Sequence, residues 1–119
     1  MNQQIHRRMV IFLMMVVCKT SLLSQSPLDL DTVKVYTFYI KGRTATGQHT
    51  TKIKQPFVAI SRDLLQKYPL KSKIQLSDCP WSGVYAVLDI MGSKHNHAVD
   101  IYYKGRKRNV MKCSCSRVE

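Results

Sequence analysis

The chain has 119 residues, with 19 lysines and arginines against 7 acids and a formal charge of +12. At that length one domain is expected. The positive balance points to a polyanionic partner, whether nucleic acid, anionic lipid or an anionic wall polymer.

The N-terminus reads as a secretory signal. Arg7 and Arg8 precede the apolar run Met9–Val17, and Ser21, Ser24 and Ser26 supply small residues for cleavage. The run is too short to span a bilayer, and Lys19 interrupts it. We therefore expect residues 1–24 to be removed and the product to be exported to the periplasm or cell envelope, with outer-membrane association as an option. Val17 is bulky where lipid-attachment sites carry a small residue, which argues against a lipid anchor at Cys18. Cleavage lowers the charge from +12 to +9, because Arg7, Arg8 and Lys19 are lost while every acid stays. Export disfavours nucleic acid among the polyanions.

After a polar lead-in over 25–32, a domain is expected over 33–119. Thr32–Ile40 is rich in β-branched and aromatic residues and predicts a strand. A long polar loop follows to Gln55, and Phe57–Ile60 is a short apolar strand. Ser61–Tyr68 predicts one or two helical turns, with Ser61 as N-cap, Asp63 in the first turn and Pro69 as terminator. Lys73–Ser77 alternates like a strand, and Asp78–Gly83 is a turn. Val84–Ile90 and Ala98–Tyr103 are strands, Lys104–Arg108 reads as a basic hairpin turn, and Asn109–Cys115 closes the domain. Six short strands with at most one short helix define an all-β fold, a small six-stranded barrel. Cys79 can pair with Cys113 or with Cys115, leaving one thiol.

The late strands carry Asp89 and Asp100. A carboxylate inside apolar strand sequence is costly to bury unless it is paired or used. Alternation sets Tyr85, Val87 and Asp89 on one face of their strand, and Ala98, Asp100 and Tyr102 on one face of theirs. If these strands are neighbours, the two acids meet at one end of the barrel. Close approach would raise one pKa and give a proton donor beside an anion. The alternative is structural, each acid capping a loop or receiving backbone N–H groups.

At these residues the chain resembles the three-aspartate (3D) domain, a family of double-psi β-barrels related to those of lytic transglycosylases. Thr44-Ala-Thr-Gly47 resembles the family's Thr-Ala-Ser-Gly turn. Phe57-Val-Ala-Ile-Ser-Arg-Asp-Leu-Leu65 with Tyr68-Pro-Leu-Lys71, then Val87-Leu-Asp-Ile-Met-Gly92, then Ala98-Val-Asp-Ile-Tyr102 follow the family's order. The likeness covers residues 33–115. It implies Asp89 and Asp100 as the second and third aspartates. The first position falls on Ser61, with Asp63 two residues later as a substitute or as a helix start. Lys71 stands where the family often has glycine, and the loop Ser93–His97 is more basic than the family's.

The resemblance implies an exported protein that cleaves peptidoglycan glycan strands, as a lytic transglycosylase or glycosidase. Asp100 is the expected acid and base, Asp89 the stabiliser, and Asp63 the third candidate. Thr46, Tyr85, Tyr102 and Lys104 are candidate substrate contacts. Lys94, Lys104 and Arg106 would lower the pKa of Asp100, so burial has to outweigh them. A non-catalytic glycan-binding barrel and a basic polyanion-binding domain are the other readings. His95-x-His97 has metal-ligand residue types, yet two loop histidines in such a domain are more often solvated, and neither a metal nor a cofactor is expected. No nucleophile-elbow sequence supports a serine hydrolase. The partner is the glycan strand or another anionic wall polymer, and the protein is expected to be a monomer.

Overall fold

The structure is a computed structural model and describes residues 29–119. The expected signal segment 1–24, with Cys18, lies outside the described residues. Six strands form: β1 (Asp31–Phe38), β2 (Phe57–Ile60), β3 (Lys73–Ser77), β4 (Gly83–Ile90), β5 (Ala98–Tyr102) and β6 (Met111–Val118). They close into a barrel in the order β1-β5-β2-β4-β3-β6. β1 runs parallel to β5 and β2 parallel to β4, and the other four pairs are antiparallel. The fold is therefore an all-β, closed, mixed six-stranded barrel, and its pairing is compatible with a double-psi arrangement. No helix among the described residues is long and apolar enough to cross a membrane.

Alternation explains the closure. Every strand contributes an inward apolar set: Val33 and Val35 from β1, Val58 and Ile60 from β2, Ile74 and Leu76 from β3. Val87, Val99 with Ile101, and Cys113 with Cys115 complete the core from β4, β5 and β6. Each large aliphatic side chain buried this way contributes about 1.5–3 kcal/mol.

The helical segment expected over Ser61–Tyr68 is a 3-10 turn, Arg62–Leu64, and a second one, Thr50–Lys52, lies in the long polar loop. Ser61 occupies the N-cap position but makes no side-chain cap bond. The segment delivers Tyr68 into the barrel mouth, where it is fully buried. Its hydroxyl donates to Asp31 Oδ2 at 2.5 Å and approaches Cys115 O at 3.3 Å. Lys67 Nζ meets the same Asp31 Oδ2 at 2.8 Å. Partial burial of Asp31 works against its charge, but the bonds from Lys67 and Tyr68 win and hold its carboxyl below the usual range. Removing the hydroxyl by Tyr68→Phe is expected to lower unfolding free energy by about 1.5–3 kcal/mol in urea denaturation at pH 7. The sign with pH follows from the depressed pKa. This stability is present above the ordinary value of 3.8 and is lost as pH falls through the lower folded value, so the deficit of the variant should shrink in strong acid.

Cys79 and Cys113 form the disulfide, with Cα atoms 5.3 Å apart, and Cys115 is a buried free thiol. Lys104–Arg108 is not a hairpin turn. β5 and β6 are not paired, and the basic loop joins the two neighbours of β1. Gly105 sits in this loop where a Cβ would come within 2.4 Å of the Tyr103 ring.

Candidate active site

β4 and β5, which carry the aspartates, are not neighbours; β2 lies between them. The acids are nonetheless brought into one row. Tyr36 of β1 pairs with Asp100, Asp100 pairs with Ala59, and Ala59 pairs with Asp89. Paired residues share a face, and this face is the outside of the barrel, opposite Val58, Ile60 and Val99. Two strand spacings put the aspartate Cα atoms about 10 Å apart. Ala59 separates them with a single methyl group, which is itself covered, buried in a small outer cluster with Met91 and Ala98.

Simple alternation would have placed Asp89 with Val87, which points inward. A register shift in the β2–β4 pairing between Val58 and Ala59 prevents this. Val58 faces Val87, yet Ala59 faces Asp89, so Leu88 is skipped. Leu88 faces outward by ordinary alternation, and the bulge turns Asp89 outward beside it, as bulges beside functional sites commonly re-aim a side chain.

The two carboxyls have different surroundings. Asp89 Oδ1 accepts from Ala45 N at 2.9 Å and from Ile90 N at 2.9 Å. The loop that supplies Ala45 is held by Gly47, at φ 86, by Thr44 N to Gln48 O at 2.8 Å, and by Thr46 Oγ1 donating to Leu88 O at 3.2 Å. Asp100 has no such donors. Its Oδ1 is buried without a hydrogen-bond partner. Burial pushes its carboxyl up to about 6, with Asp89 adding a little, against the opposing pull of His95 and Lys107. Burial thus does outweigh the cations, and the cations concerned are His95 and Lys107 rather than Lys94, Lys104 or Arg106. His95 is positioned by edge contact with the Tyr36 ring, centroids 5.1 Å apart.

Asp63 lies off the row, past the end of β2 and against the start of β5. Both of its oxygens accept from His97 N, at 3.2 and 3.0 Å, and His97 Nδ1 is 2.7 Å from Oδ2. Partial desolvation opposes ionisation of Asp63, but bonds from Ser61 and the His97 backbone prevail and lower its pKa. It anchors the start of β5. Ser61, which the resemblance set at the first aspartate position, is fully buried and forms a reciprocal clamp: Ala98 N donates to Ser61 Oγ and Ser61 N to Ala98 O, each at 3.0 Å. Ser61→Ala leaves the Ala98 N–H without that acceptor, and a loss of about 1–3 kcal/mol is expected in thermal or urea unfolding.

The other candidates are dispersed. Thr46 reaches the site through the loop that holds Asp89. Tyr102 is on the Asp100 face but is packed into an aromatic row, stacked on Phe57 at 4.8 Å and edge-on to Phe38 at 5.5 Å, with its hydroxyl buried and unpartnered. Tyr85 packs against the core and donates to Trp81 O at 2.7 Å. Trp81 and Tyr103 form a separate cluster under Arg108, and Lys104 is exposed in the β5–β6 loop. Among the described residues no group of three or more His, Cys, Asp or Glu side chains is arranged to hold a metal ion. Sequence reasoning missed Ala59, Tyr36 and Lys107; only the pairing of β2 and β1 with β5 reveals the first two.

Comparison with protein-family models, with curated proteins and with solved structures finds no match to this chain. The residues and their geometry therefore carry the functional reading.

Proposed function

We propose that this protein is an exported, wall-acting barrel of the three-aspartate kind that cleaves peptidoglycan glycan strands as a lytic transglycosylase. One observation carries the reading. A carboxyl raised to about 6 by burial shares an outer-face row with a second acid that is fixed by backbone N–H groups. A carboxyl poised in that range is suited to donate and then recover a proton.

In this mechanism the Asp100 carboxyl gives its proton to the glycosidic oxygen as the bond to the anomeric carbon breaks. Asp89 faces the positive charge that develops on the sugar ring. The Asp100 carboxylate then takes the proton of the sugar's own 6-hydroxyl, whose oxygen bonds to the anomeric carbon and closes a 1,6-anhydro ring. Asp100 ends protonated, and no water is consumed. One acid suffices for both transfers, unlike the two-carboxylate hydrolysis of ordinary glycosidases.

The test is digestion of purified sacculi followed by mass spectrometry of the soluble products. Anhydro-muropeptides support the reading; reducing-end products or none refute it. Ser61 favours a second reading, a glycan-binding barrel without catalysis, because a buried serine engaged with Ala98 stands where the family has its first acid. Co-sedimentation with sacculi and no anhydro product would select it.

A further inference from the structure

A cleft of about 340 Å³ lies on the outer face beside Asp89. Its floor is apolar, made by Ala86 and Leu88 of β4. Its rim carries Thr46, Gln48 and Gln55 from the β1–β2 connection, and Lys71 and Lys73 from the opposite side. The cleft is continuous with the acid row at two points. Leu88 is the residue before Asp89, and Thr46, bonded to Leu88 O, is the residue after Ala45, which holds the Asp89 carboxylate. A polymer lying along β4 from Asp89 to Ala86 crosses about 10 Å of strand and fills the cleft.

The two lysines are built in rather than scattered. Lys73 pairs with Ala86, so its side chain shares the face that floors the cleft. Lys71 is held at φ 73, in the left-handed region that a lysine rarely adopts, by Lys71 N donating to Val87 O at 2.7 Å. Val87 N returns a bond to Ser72 O at 2.8 Å, which locks the turn to β4. Neither lysine has an acidic partner among the described residues, where the ion pairs are Lys67 with Asp29 and Asp31, and Asp63 with His97. Two unneutralised ammonium groups face two side-chain amides across an apolar floor. That set suits a ligand with a carboxylate, amide groups and a flat apolar face.

We infer that this cleft is a substrate subsite for an acylated amino sugar bearing a carboxylate-terminated peptide, with Lys71 and Lys73 binding the carboxylate and Gln48 and Gln55 the amides. The inference rests on the proposed reading for its choice of polymer, and it assigns the side of Asp89 on which the peptide-bearing sugar lies.

The test uses the full chain carrying Asp100→Asn, so that binding is read without turnover. Soluble disaccharide–peptide fragments are titrated calorimetrically, as free acids and with their peptide carboxylates amidated. Free acids should bind at least about tenfold more tightly than amidated ones, and Lys71→Gln/Lys73→Gln should erase that difference. Both lysines are exposed, so the variant should keep its melting temperature, which circular dichroism verifies. Equal affinity for the two probes, no binding of either, or an unchanged preference in the lysine variant overturns the subsite. The two readings fail separately. A lysine-dependent preference with no anhydro products from wild type leaves the subsite standing and removes the catalytic reading. Anhydro products with indifference to the lysines does the reverse.

Discussion

Asp100→Asn is expected to lower the release of anhydro-muropeptides from sacculi by about 100- to 10,000-fold, the usual contribution of a positioned acid–base group. The same substitution should leave the barrel at least as stable as wild type near neutral pH. The reason is the direction of its shift. A carboxyl raised from 3.8 to about 6 by burial is more comfortable neutral in the folded chain than ionised. Its contribution to stability is therefore full below pH 3.8 and is lost as pH rises through about 6. At pH 7 the wild type bears a burdened carboxylate, and asparagine relieves it by something on the order of 2 kcal/mol, an advantage that should vanish near pH 4. Activity should follow the protonated form, with kcat/KM falling as pH rises through about 6. Thermal unfolding at the two pH values, beside the digestion assay, checks both halves. A variant that loses activity and stability together at pH 7 would mark Asp100 as a structural residue.

Replacing the disulfide, by Cys79→Ala with Cys113→Ala, should cost about 3–4 kcal/mol in denaturant unfolding, given a closed loop spanning 34 positions. Domains of this size have a limited core, so the loss is a large share of total stability. A reducing agent should produce a similar shift in wild type and little in the variant. An unchanged midpoint in the variant would show that the barrel holds without its staple.

Much of the fold is legible in the residues. The β-branched run Thr32–Phe38 and the period-two pattern of Ala98–Tyr102 need no tertiary information to be read as strands, and their inward sets are the ones the barrel buries. The acids themselves stand out by type and setting. What joins them does not. Alternation alone puts Asp89 on the face of Val87, and only the bulge opposite Val58 and Ala59 moves it, a feature of two strands at once. Ala59 carries no chemical signal, yet it is the hinge of the row. Asp63 and Ser61 show how one local pattern serves several ends: the cap position is right, but Ser61 Oγ is committed to β5 and the Asp63 carboxylate to His97. Cys113 and Cys115 point to the same side of β6 and are equivalent by spacing. Their neighbours separate them, because Cys115 sits opposite Leu76 deep in the barrel, whereas Cys113 falls one step past the Ser77–Ser114 pair, nearest the turn that carries Cys79.

The strand order also governs how the chain reaches this state. β1 finds its two neighbours only in β5 and β6, and β3 stays unpaired on one edge until β6 docks. Only the β3–β4 hairpin can form from adjacent sequence. The barrel thus has no stable half, and its dominant pairings join distant segments, which places folding in the slow, millisecond-to-second class. A polypeptide of this kind stays open while it is being made and sets only once β6 has joined β1 to β3.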